Sequence, residues 1–321
     1  MTPRPLIVRL RNWVGDVILG IPALKLLASH GHQLQLVGKS WAPSLLAGEG
    51  WPVQVRPAGS WAAVQQLREL HRAAQAVDPL FDRRDNAMVL TTSFSSALEM
   101  RLAGLRAVGY SQEARGFLLA RRVPITYGGP ALVAYWELAC RHLGIMQAPP
   151  REIGLKVASA DAATADSLLR SHAIEPGFIV ICPFAGGTFE KLDKAWPQFP
   201  EFSRALLANG RQVVACPGPG EEHALREQYP GVIALDGVKL GAYGALLQRC
   251  ALLVSNDTGP GHLAAAVGAR VLSVLGPTKP EQWAPWGPTV TIVQRPHGAG
   301  RTEWPDVVEV MQRVSALAPA S

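Results

Sequence analysis

The sequence predicts an α/β protein made of two tandem domains, each built around a parallel β-sheet. Short apolar runs alternate with segments of helical periodicity along the whole chain, a pattern typical of parallel-sheet α/β units. These elements fall into two sets, which the segment IMQAPPREIGLKV separates. Its consecutive prolines, Pro149 and Pro150, make that segment stiff and non-helical. We therefore predict domains at residues 1–155 and 156–321.

The first set begins with the strand LIVRL at residues 6–10, followed by the helix DVILGIPALKLLASHG, which Gly31 ends. Further strands are predicted at LQLVG, VQVRP and AMVLTTS, and a long helix at WAAVQQLRELHRAAQAV. In the second set the predicted strands are GFIVICPF, QVVACPG, GVIALDG, ALLVSND and VLSVLGP, and PQFPEFSRALLANG is a predicted helix. Both sets therefore carry the alternation that builds a parallel sheet.

The composition limits the class of protein. Of the 321 residues, 48% are hydrophobic and 17% are charged, which is typical of a folded globular protein. No apolar run approaches the ~20 residues that span a bilayer. The amino-terminal residues lack the pattern of a signal peptide, so we expect a cytoplasmic location. The four cysteines are spaced too widely for a zinc site or a disulfide scaffold.

The basic residues are concentrated in the first half of the chain. Residues 1–155 contain 17 lysines and arginines against 10 acidic residues, a net charge of +7, whereas residues 156–321 contain 14 against 15. A basic half favours an anionic partner such as nucleic acid, a membrane surface or a phosphorylated substrate. Scattered solvated arginines would give the same excess. Because no nucleic-acid recognition motif accompanies the charge, we predict no nucleic-acid partner.

The segment VSNDTGPGHLAAAVG leads from a predicted strand into a helix. Asp257 ends the strand, and Thr258 is the predicted N-cap of the helix. The amide groups and the dipole at a helix amino end favour an anion, and Gly259 and Gly261 let a phosphate approach the backbone. His262, one turn further, is placed to donate to that anion or to a sugar hydroxyl. A capped helix with a buried histidine is the alternative interpretation.

The segment PFAGGTFEKLDKAWP follows another predicted strand. Its glycine-rich loop, the hydroxyl of Thr188 and the ammonium of Lys194 suit a diphosphate, since backbone donors and a cation can neutralise it together. Lys191 competes with Lys194 for this role. The segment matches neither the P-loop nor the dinucleotide fingerprint, which disfavours an NAD-dependent oxidoreductase.

Asp16 follows Gly15 at the turn from the first strand into the first helix. A carboxylate at this position is stabilised by the helix amino end, and it can accept a proton from a bound hydroxyl. An acidic residue that only stabilises the start of its own helix fits the local sequence equally well. Asp16 is therefore a candidate general base whose role the local pattern leaves open.

The segment CPGPGEEH places Glu221 and Glu222 after a strand and a glycine-rich turn. Carboxylates at such positions hold ribose hydroxyls in nucleotide-binding domains. A solvated helix start is the simpler interpretation when the segment is taken alone.

Three of these segments together resemble glycosyltransferase family 9, the ADP-heptose:lipopolysaccharide heptosyltransferases. GDVILGIPALKLL is similar to the family's G-D-x-x-x-x-x-P-A-L segment, and FAGGTFEKLDKAWP to its phosphate loop ending in K-x-W-P. SNDTGPGHLAAAVGARVLSVLGPTKP is similar to its most specific signature, D-[ST]-G-x-x-H-x-x-A-A followed by G-P-[ST]. The resemblance implies the GT-B architecture, in which two Rossmann-like domains face across a cleft. The amino-terminal domain then binds the acceptor and the carboxyl-terminal domain the nucleotide sugar.

The resemblance also implies roles for individual residues. Asp16 matches the catalytic base, and Lys194 matches the cation beside the leaving diphosphate. The implied donor-binding residues are Gly187, Thr188, Glu222, Asp257, Thr258, Gly259 and His262. Glu221 is the alternative to Glu222 as the ribose contact, because the alignment can shift there by one residue. The chain departs from the family in its longer phosphate loop and in Gly261, where a larger residue is common.

The reaction implied by the resemblance is the inverting transfer of a sugar, heptose from ADP-heptose, to an acceptor of the lipopolysaccharide-core type. It requires no metal and no cofactor, in keeping with a sequence that contains no D-x-D triplet. An anionic lipid-linked saccharide acceptor accounts for the basic first half and implies peripheral contact with the inner membrane surface. The alternatives are another GT-B enzyme, such as a nucleotide-sugar epimerase, and a non-catalytic nucleotide-sugar-binding protein.

Overall fold

The chain consists of two units that each surround their own sheet, Met1–Pro150 and Arg151–Ser321. A computed structural model describes residues 4–125, 128–295 and 302–319. Within these residues, none of the helices combines the length and the apolar character that crossing a bilayer requires.

The boundary between the units lies between Pro150 and Arg151 rather than at residue 155. The reason is the packing of the segment that follows Pro150. The Leu155 N–H donates to the Ala266 carbonyl at 2.7 Å, and Leu155 is buried. These residues are therefore already part of the second unit.

The first unit contains six strands, which all pair in parallel with their neighbours. The strands are β1 Arg4–Arg9, β2 His32–Gly38, β3 Val53–Val55, β4 Ala87–Val89, β5 Ala107–Tyr110 and β6 Arg121–Val123. The helices are α1 Val14–Ser29, α2 Ala42–Leu45, α3 Ser60–Val77, α4 Phe94–Leu102 and α5 Ala131–Leu143. The strand order is β3-β2-β1-β4-β5-β6, that of a doubly wound sheet.

The central strand of the first unit is buried on both faces. Leu6, Ile7 and Val8 in β1 have no exposed surface, which explains why the strand is a continuous apolar run rather than an alternating one. The chain leaves β1 at its carboxyl end and enters α1 at Val14, so Asp16 lies in the first turn of that helix. Ligands of parallel sheets bind at this edge.

The second unit also contains a six-stranded parallel sheet, and one of its loops forms an additional two-stranded hairpin. Its strands are β7 Ile179–Cys182, β8 Thr188–Phe189, β9 Leu192–Asp193, β10 Val213–Ala215, β11 Ile233–Ala234, β12 Leu252–Ser255, β13 Val271–Leu275 and β14 Val290–Gln294. Its helices are α6 Ser159–Ser171, α7 Phe199–Ala208, α8 Glu222–Gln228, α9 Leu240–Leu247, α10 Gly259–Ala266, α11 Pro280–Trp283 and α12 Val307–Leu317. The six-stranded sheet has the order β11-β10-β7-β12-β13-β14, again parallel throughout.

The loop between β7 and α7 forms a small antiparallel hairpin of β8 and β9. Its two turn residues, Glu190 and Lys191, have φ values of 50° and 68°. Such left-handed turns normally use Asn-Gly or Asp-Gly, so the sequence carried no signal for this hairpin.

The prediction of two parallel α/β domains is confirmed. Every predicted strand overlaps an observed one, although several observed strands are shorter than their apolar segments, and β1 and β2 begin two residues earlier than predicted. The strands β5, β6 and β14, like the hairpin strands β8 and β9, are not among the predicted ones. Edge strands such as β6 carry charged side chains, here Arg121 and Arg122, and these hide the apolar pattern.

Candidate active site

Asn256, directly after β12, joins three segments of the second unit. It has no exposed surface. Its side-chain oxygen accepts from the Trp196 N–H at 2.9 Å, and its side-chain nitrogen donates to the Pro183 carbonyl at 2.6 Å. Trp196 itself is 2% exposed and donates its indole N–H to the Pro305 carbonyl at 2.9 Å. The segment that contains Lys194 is therefore held firmly against the end of β12.

Lys194 forms an ion pair with Asp257, the residue that follows Asn256. The distance between Lys194 Nζ and Asp257 Oδ2 is 3.2 Å, and the ammonium also donates to the Asp257 carbonyl at 3.3 Å. The same carboxylate oxygen accepts from the Thr278 hydroxyl at 2.9 Å. Both charged side chains are largely buried, with 19% and 14% of their surface exposed. The ammonium is thereby fixed beside the amino end of α10.

Thr258 is the N-cap of α10, as predicted, but its side chain does not cap the helix. The hydroxyl donates to the Asn256 carbonyl at 3.4 Å and lies 3.5 Å from Cys182 Sγ. Burial raises the pKa of Cys182 to about 12, so this thiol is protonated at neutral pH. The first amides of α10 thus have no side-chain acceptor from Thr258, which suits an anion bound from outside the helix.

The start of α10 packs tightly against β12. A Cβ on Gly261 would lie 2.9 Å from the Ser255 hydroxyl and 3.4 Å from Pro285. Gly261 therefore allows a close approach between α10 and β12, at a position where the sequence departs from the larger residue that is common in the family. His262, on the first turn that begins at Gly259, is 6% exposed.

The glycine-rich loop places its two lysines differently. Gly187 has φ +76°, a conformation that favours glycine, and Thr188 begins β8 with its side chain exposed. Lys191 lies exposed at the tip of the hairpin, whereas Lys194 contacts Asp257. The structure brings Lys194, and not Lys191, against the end of β12.

The carboxylates of Glu221 and Glu222 both close the turn before α8. Glu221 Oε2 accepts from the Gly218 N–H and Glu222 Oε2 from the Gly220 N–H, each at 2.8 Å. Both side chains are partly exposed. The two glutamates have equivalent backbone contacts, so the geometry does not favour one of them as the ribose contact.

In the first unit, the Asp16 carboxylate is held by two donors. The Tyr135 hydroxyl donates to Oδ1 at 2.8 Å, and Arg11 Nη2 lies 3.5 Å from Oδ2. The carboxylate is 10% exposed. These contacts run to α5 and to the end of β1 rather than to the amides of α1, whose N-cap is Trp13. They weaken the alternative that Asp16 serves only as a helix cap.

Tyr135 is a stable donor to Asp16. Burial, and then the neighbouring Asp16 charge, raise the pKa of Tyr135 well above its usual range. The hydroxyl therefore stays protonated at neutral pH, and it orients one oxygen of the Asp16 carboxylate.

The sequence analysis assigned no role to three residues of the groups around Asp257 and Asp16, namely Asn256, Thr278 and Tyr135. Thr278 lies in the quoted G-P-[ST] motif, and Asn256 precedes Asp257, so local motifs pointed near both of them. Tyr135 is 119 positions from Asp16, and no local signal connects them. Among the described residues, no group of three or more His, Cys, Asp or Glu side chains is arranged to hold a metal ion.

Sequence comparison identifies related proteins over most of the chain. The model of glycosyltransferase family 9 (heptosyltransferase) matches residues 80–305. Lipopolysaccharide heptosyltransferase 2 of Escherichia coli K12 is 25% identical, over 93% of this chain and 90% of that protein. Two E. coli proteins named lipopolysaccharide heptosyltransferase 3 are 36% and 32% identical. The chain spans only 36% and 38% of their lengths.

Solved structures share the fold over nearly the whole chain. The E. coli ADP-heptose lipopolysaccharide heptosyltransferase II has a TM-score of 0.79 at 22% identity, with 98% of each chain covered. A family 9 glycosyltransferase from Veillonella parvula has a TM-score of 0.81 at 18% identity, with 99% of this chain and 98% of that chain covered. The E. coli heptosyltransferase WaaC with ADP gives 0.70 at 19% identity, with 98% and 100% covered. These matches confirm the predicted GT-B class of fold.

Proposed function

Because the chain belongs to glycosyltransferase family 9, we propose that it transfers heptose from ADP-heptose to an anionic, lipid-linked saccharide of the lipopolysaccharide-core type. The observation that carries the proposal is the Lys194–Asp257 ion pair beside the uncapped amino end of α10. An ammonium and helix amides at one point suit a diphosphate. Solved structures of heptosyltransferase WaaC with ADP and with ADP-2-deoxy-2-fluoro heptose support this class of donor.

In this proposal the second unit binds the donor. The diphosphate lies against the first amides of α10, beside Lys194 and the loop of Gly187 and Thr188. His262 donates to a phosphate or to a sugar hydroxyl. The carboxylate of Glu222, or of its neighbour Glu221, gives up its hydrogen bond from a turn amide and accepts from the ribose hydroxyls instead. As the sugar departs, Lys194 and the helix amides stabilise the charge that grows on the diphosphate.

Asp16 of the first unit acts as the general base. Its Oδ1 already accepts from Tyr135, so Oδ2, with only the long Arg11 contact among the described residues, is the oxygen that takes the proton. The deprotonating acceptor hydroxyl forms a bond to the anomeric carbon while the bond to the diphosphate oxygen breaks. Attack from the opposite face inverts the configuration. General base catalysis contributes roughly 10²–10⁴-fold to such a step.

Metal independence is part of the proposal. Enzymes that hold a diphosphate through a metal need carboxylates to bind that metal, and the chain lacks a D-x-D triplet. In this proposal, Lys194 supplies the positive charge beside the leaving diphosphate that a metal ion supplies in those enzymes. We expect activity to persist in excess chelator.

The net charge of +7 in residues 1–155 supports assignment of the acceptor to the first unit. A lipid-linked anionic acceptor is presented at a membrane surface that is itself negative. We therefore propose peripheral contact with the cytoplasmic face of the inner membrane.

The test is an assay with ADP-heptose and a heptose-free lipopolysaccharide-core acceptor, in which ADP release and the mass of the acceptor are measured together. We expect one heptose added per ADP released, with no release when the acceptor is omitted. Release of a modified free nucleotide sugar without acceptor would instead identify an epimerase. Tight ADP-heptose binding without turnover on any core acceptor would identify a binding protein.

A further inference from the structure

A cavity of about 300 Å³ lies in the second unit, and none of the candidate donor residues lines it. Its walls come from three segments: Glu152 and Leu155 just after the unit boundary, residues 265–268 at the carboxyl end of α10, and Pro288 and Thr289 before β14. Sites for small ligands begin at about this volume. The cavity is therefore a candidate binding site that is separate from the candidate donor site.

The charge of this cavity is negative. Glu152 contributes an exposed carboxylate, which has no ion-pair partner among the residues that the structure describes. The helix α10 ends at Ala266, with Val267 as its C-cap, so the negative end of the helix dipole lies at the cavity wall. No lysine, arginine or histidine is among the lining residues, which all belong to the described part of the chain. The negative potential is therefore left for a ligand to neutralise.

The carboxyl end of α10 also supplies hydrogen-bond acceptors. The Ala265 carbonyl accepts from the Gly268 N–H at 3.2 Å, and the Ala266 carbonyl accepts from the Leu155 N–H at 2.7 Å. Each carbonyl oxygen has a second lone pair, and a primary ammonium has three N–H donors that can use such acceptors. Among the described residues, no aromatic side chain lines the cavity, so it lacks the cation–π contacts that favour a quaternary ammonium.

We propose that this cavity, the α10 cation site, binds a primary alkylammonium ion. The ammonium lies between the Glu152 carboxylate and the carboxyl end of α10, and the alkyl chain lies against the apolar side chains of Leu155 and Val267, which line the same cavity. Binding is reversible, and no covalent bond forms or breaks. The existence of the site does not depend on the proposed function.

The α10 cation site shares its helix with the proposed donor site. α10 has eight residues, so its two ends are about 12 Å apart. A cation at the carboxyl end and a diphosphate at the amino end attract each other weakly over this distance. Each ligand should therefore raise the affinity of the other by the same factor. This coupling rests on the proposed function, because it requires the diphosphate to lie at the start of α10.

The site is tested by NMR spectroscopy of the full chain with labelled leucine and valine methyl groups, titrated with butylammonium chloride. The methyl groups of Leu155 and Val267 report on the cavity, and those of Leu67, which is buried in the first unit, are the internal control. We expect a saturable shift at Leu155 and Val267 and none at Leu67. The absence of a saturable shift at the two cavity residues overturns the site.

The role of the carboxylate is tested by Glu152→Gln, which should weaken butylammonium binding about tenfold. The matched control is Glu175→Gln, because Glu175 is exposed in the same unit and is not among the lining residues; its affinity should equal that of wild type. Glu152→Lys brings an ammonium of the chain itself to the cavity and should abolish binding. Equal weakening in the two glutamine variants would overturn the assignment of the ammonium to Glu152.

The ligand class is tested with 1-butanol and tetramethylammonium chloride on the same sample. Both should bind at Leu155 and Val267 more weakly than butylammonium, since the first has no charge and the second no N–H donor. Equal binding of either one would overturn the primary ammonium as the ligand.

The coupling is tested by ADP titrations with and without saturating butylammonium chloride, with sodium chloride at the same ionic strength as the control. Butylammonium should lower the Kd of ADP about twofold, and this effect should be lost in Glu152→Lys. An unchanged Kd would overturn the coupling. A chain that binds butylammonium at Leu155 and Val267 but binds no ADP would contradict the proposed function and leave the α10 cation site standing.

Discussion

The two aspartates, Asp16 in the first unit and Asp257 in the second, both follow a strand and stand near the start of a helix, yet their surroundings differ. Asp16 accepts from a neutral tyrosine on one oxygen and has a guanidinium 3.5 Å from the other. Asp257 accepts from an ammonium and a hydroxyl on the same oxygen, and Lys194 also donates to its backbone carbonyl.

The two environments suit one residue type to two different proposed roles. In the proposed role as a base, Asp16 takes up the proton on Oδ2, whose contact to Arg11 is long at 3.5 Å. A carboxylate that positions a cation needs short contacts to that cation, and Asp257 has them. The roles that we propose for the two aspartates therefore follow from what surrounds each carboxylate rather than from its place after a strand.

The largest expected effect is on turnover when Asp16 loses its charge. Asp16→Asn should reduce kcat at least ~100-fold, as expected for loss of a general base, with ADP affinity nearly unchanged. Asp257→Asn should do the opposite, weakening ADP more than it slows the bound complex. Steady-state kinetics with calorimetric ADP titrations measure both. Turnover of Asp16→Asn within a few fold of wild type would remove the distinction between the two carboxylates.

The second prediction concerns the cation held by Asp257. Lys194→Ala should weaken ADP binding about tenfold or more, because a charge-assisted hydrogen bond is lost. Lys191→Ala is the matched control, since Lys191 lies exposed at the hairpin tip, and its affinity should stay within about twofold of wild type. If the two alanine variants bind ADP equally well, Lys194 is only a partner of Asp257.

A smaller effect is expected from the donor that orients Asp16. Tyr135→Phe keeps the ring packing and removes the hydrogen bond to Oδ1, so kcat should fall about tenfold, with ADP affinity unchanged. Tyr243→Phe in the second unit is a control for removal of a buried tyrosine hydroxyl, and it should not change kcat through Asp16. An unaltered kcat in Tyr135→Phe would show that Asp16 needs no orientation.

Salt should affect acceptor binding and ADP binding to different degrees, and this difference is expected to be smaller than the effects above. Raising the ionic strength from about 0.05 to 0.5 M shortens the Debye length roughly threefold. It should weaken acceptor binding by the basic first unit more than ADP binding, which depends on short-range contacts. Lys194→Ala should weaken ADP and leave the salt dependence of the acceptor unchanged. Paired titrations across salt provide the measurement, and stronger salt sensitivity of ADP would reverse our assignment of ligands to units.

The smallest expected effect is an acid sensitivity of the first unit that arises away from Asp16. Burial lowers the pKa of His32 from 6.5 to about 4, and burial also lowers that of its ring neighbour His142. The unfolded chain therefore binds more protons than the folded chain between about pH 6.5 and 4, and stability should fall as the pH falls through this window. Thermal unfolding of wild type and His32→Gln at pH 7 and pH 5 measures the loss, which should be smaller in the variant. An equal loss in both proteins would place the acid sensitivity elsewhere.

Local sequence patterns predict the main strands and helices and the turns at which the candidate site residues lie. Apolar periodicity and glycine or proline breaks act over a few residues, so β1, α1 and the strand-to-helix turn at Asp257 and Thr258 followed from local patterns. The same locality explains the failures. The Glu190–Lys191 turn has no favoured turn residues, and β6 hides its apolar pattern behind arginines.

The contacts between side chains from distant parts of the chain follow from the tertiary fold. Tyr135 reaches Asp16 because α5 packs against α1, and Asn256 joins Trp196 and Pro183 because β7 pairs with β12. Thr278 completes the Asp257 group from the end of the next strand. Such contacts depend on the order of strands and the packing of helices, which involve residues far apart in the chain. No local pattern encodes them, and they give Asp16 a tyrosine and a guanidinium as partners and Asp257 an ammonium and a hydroxyl.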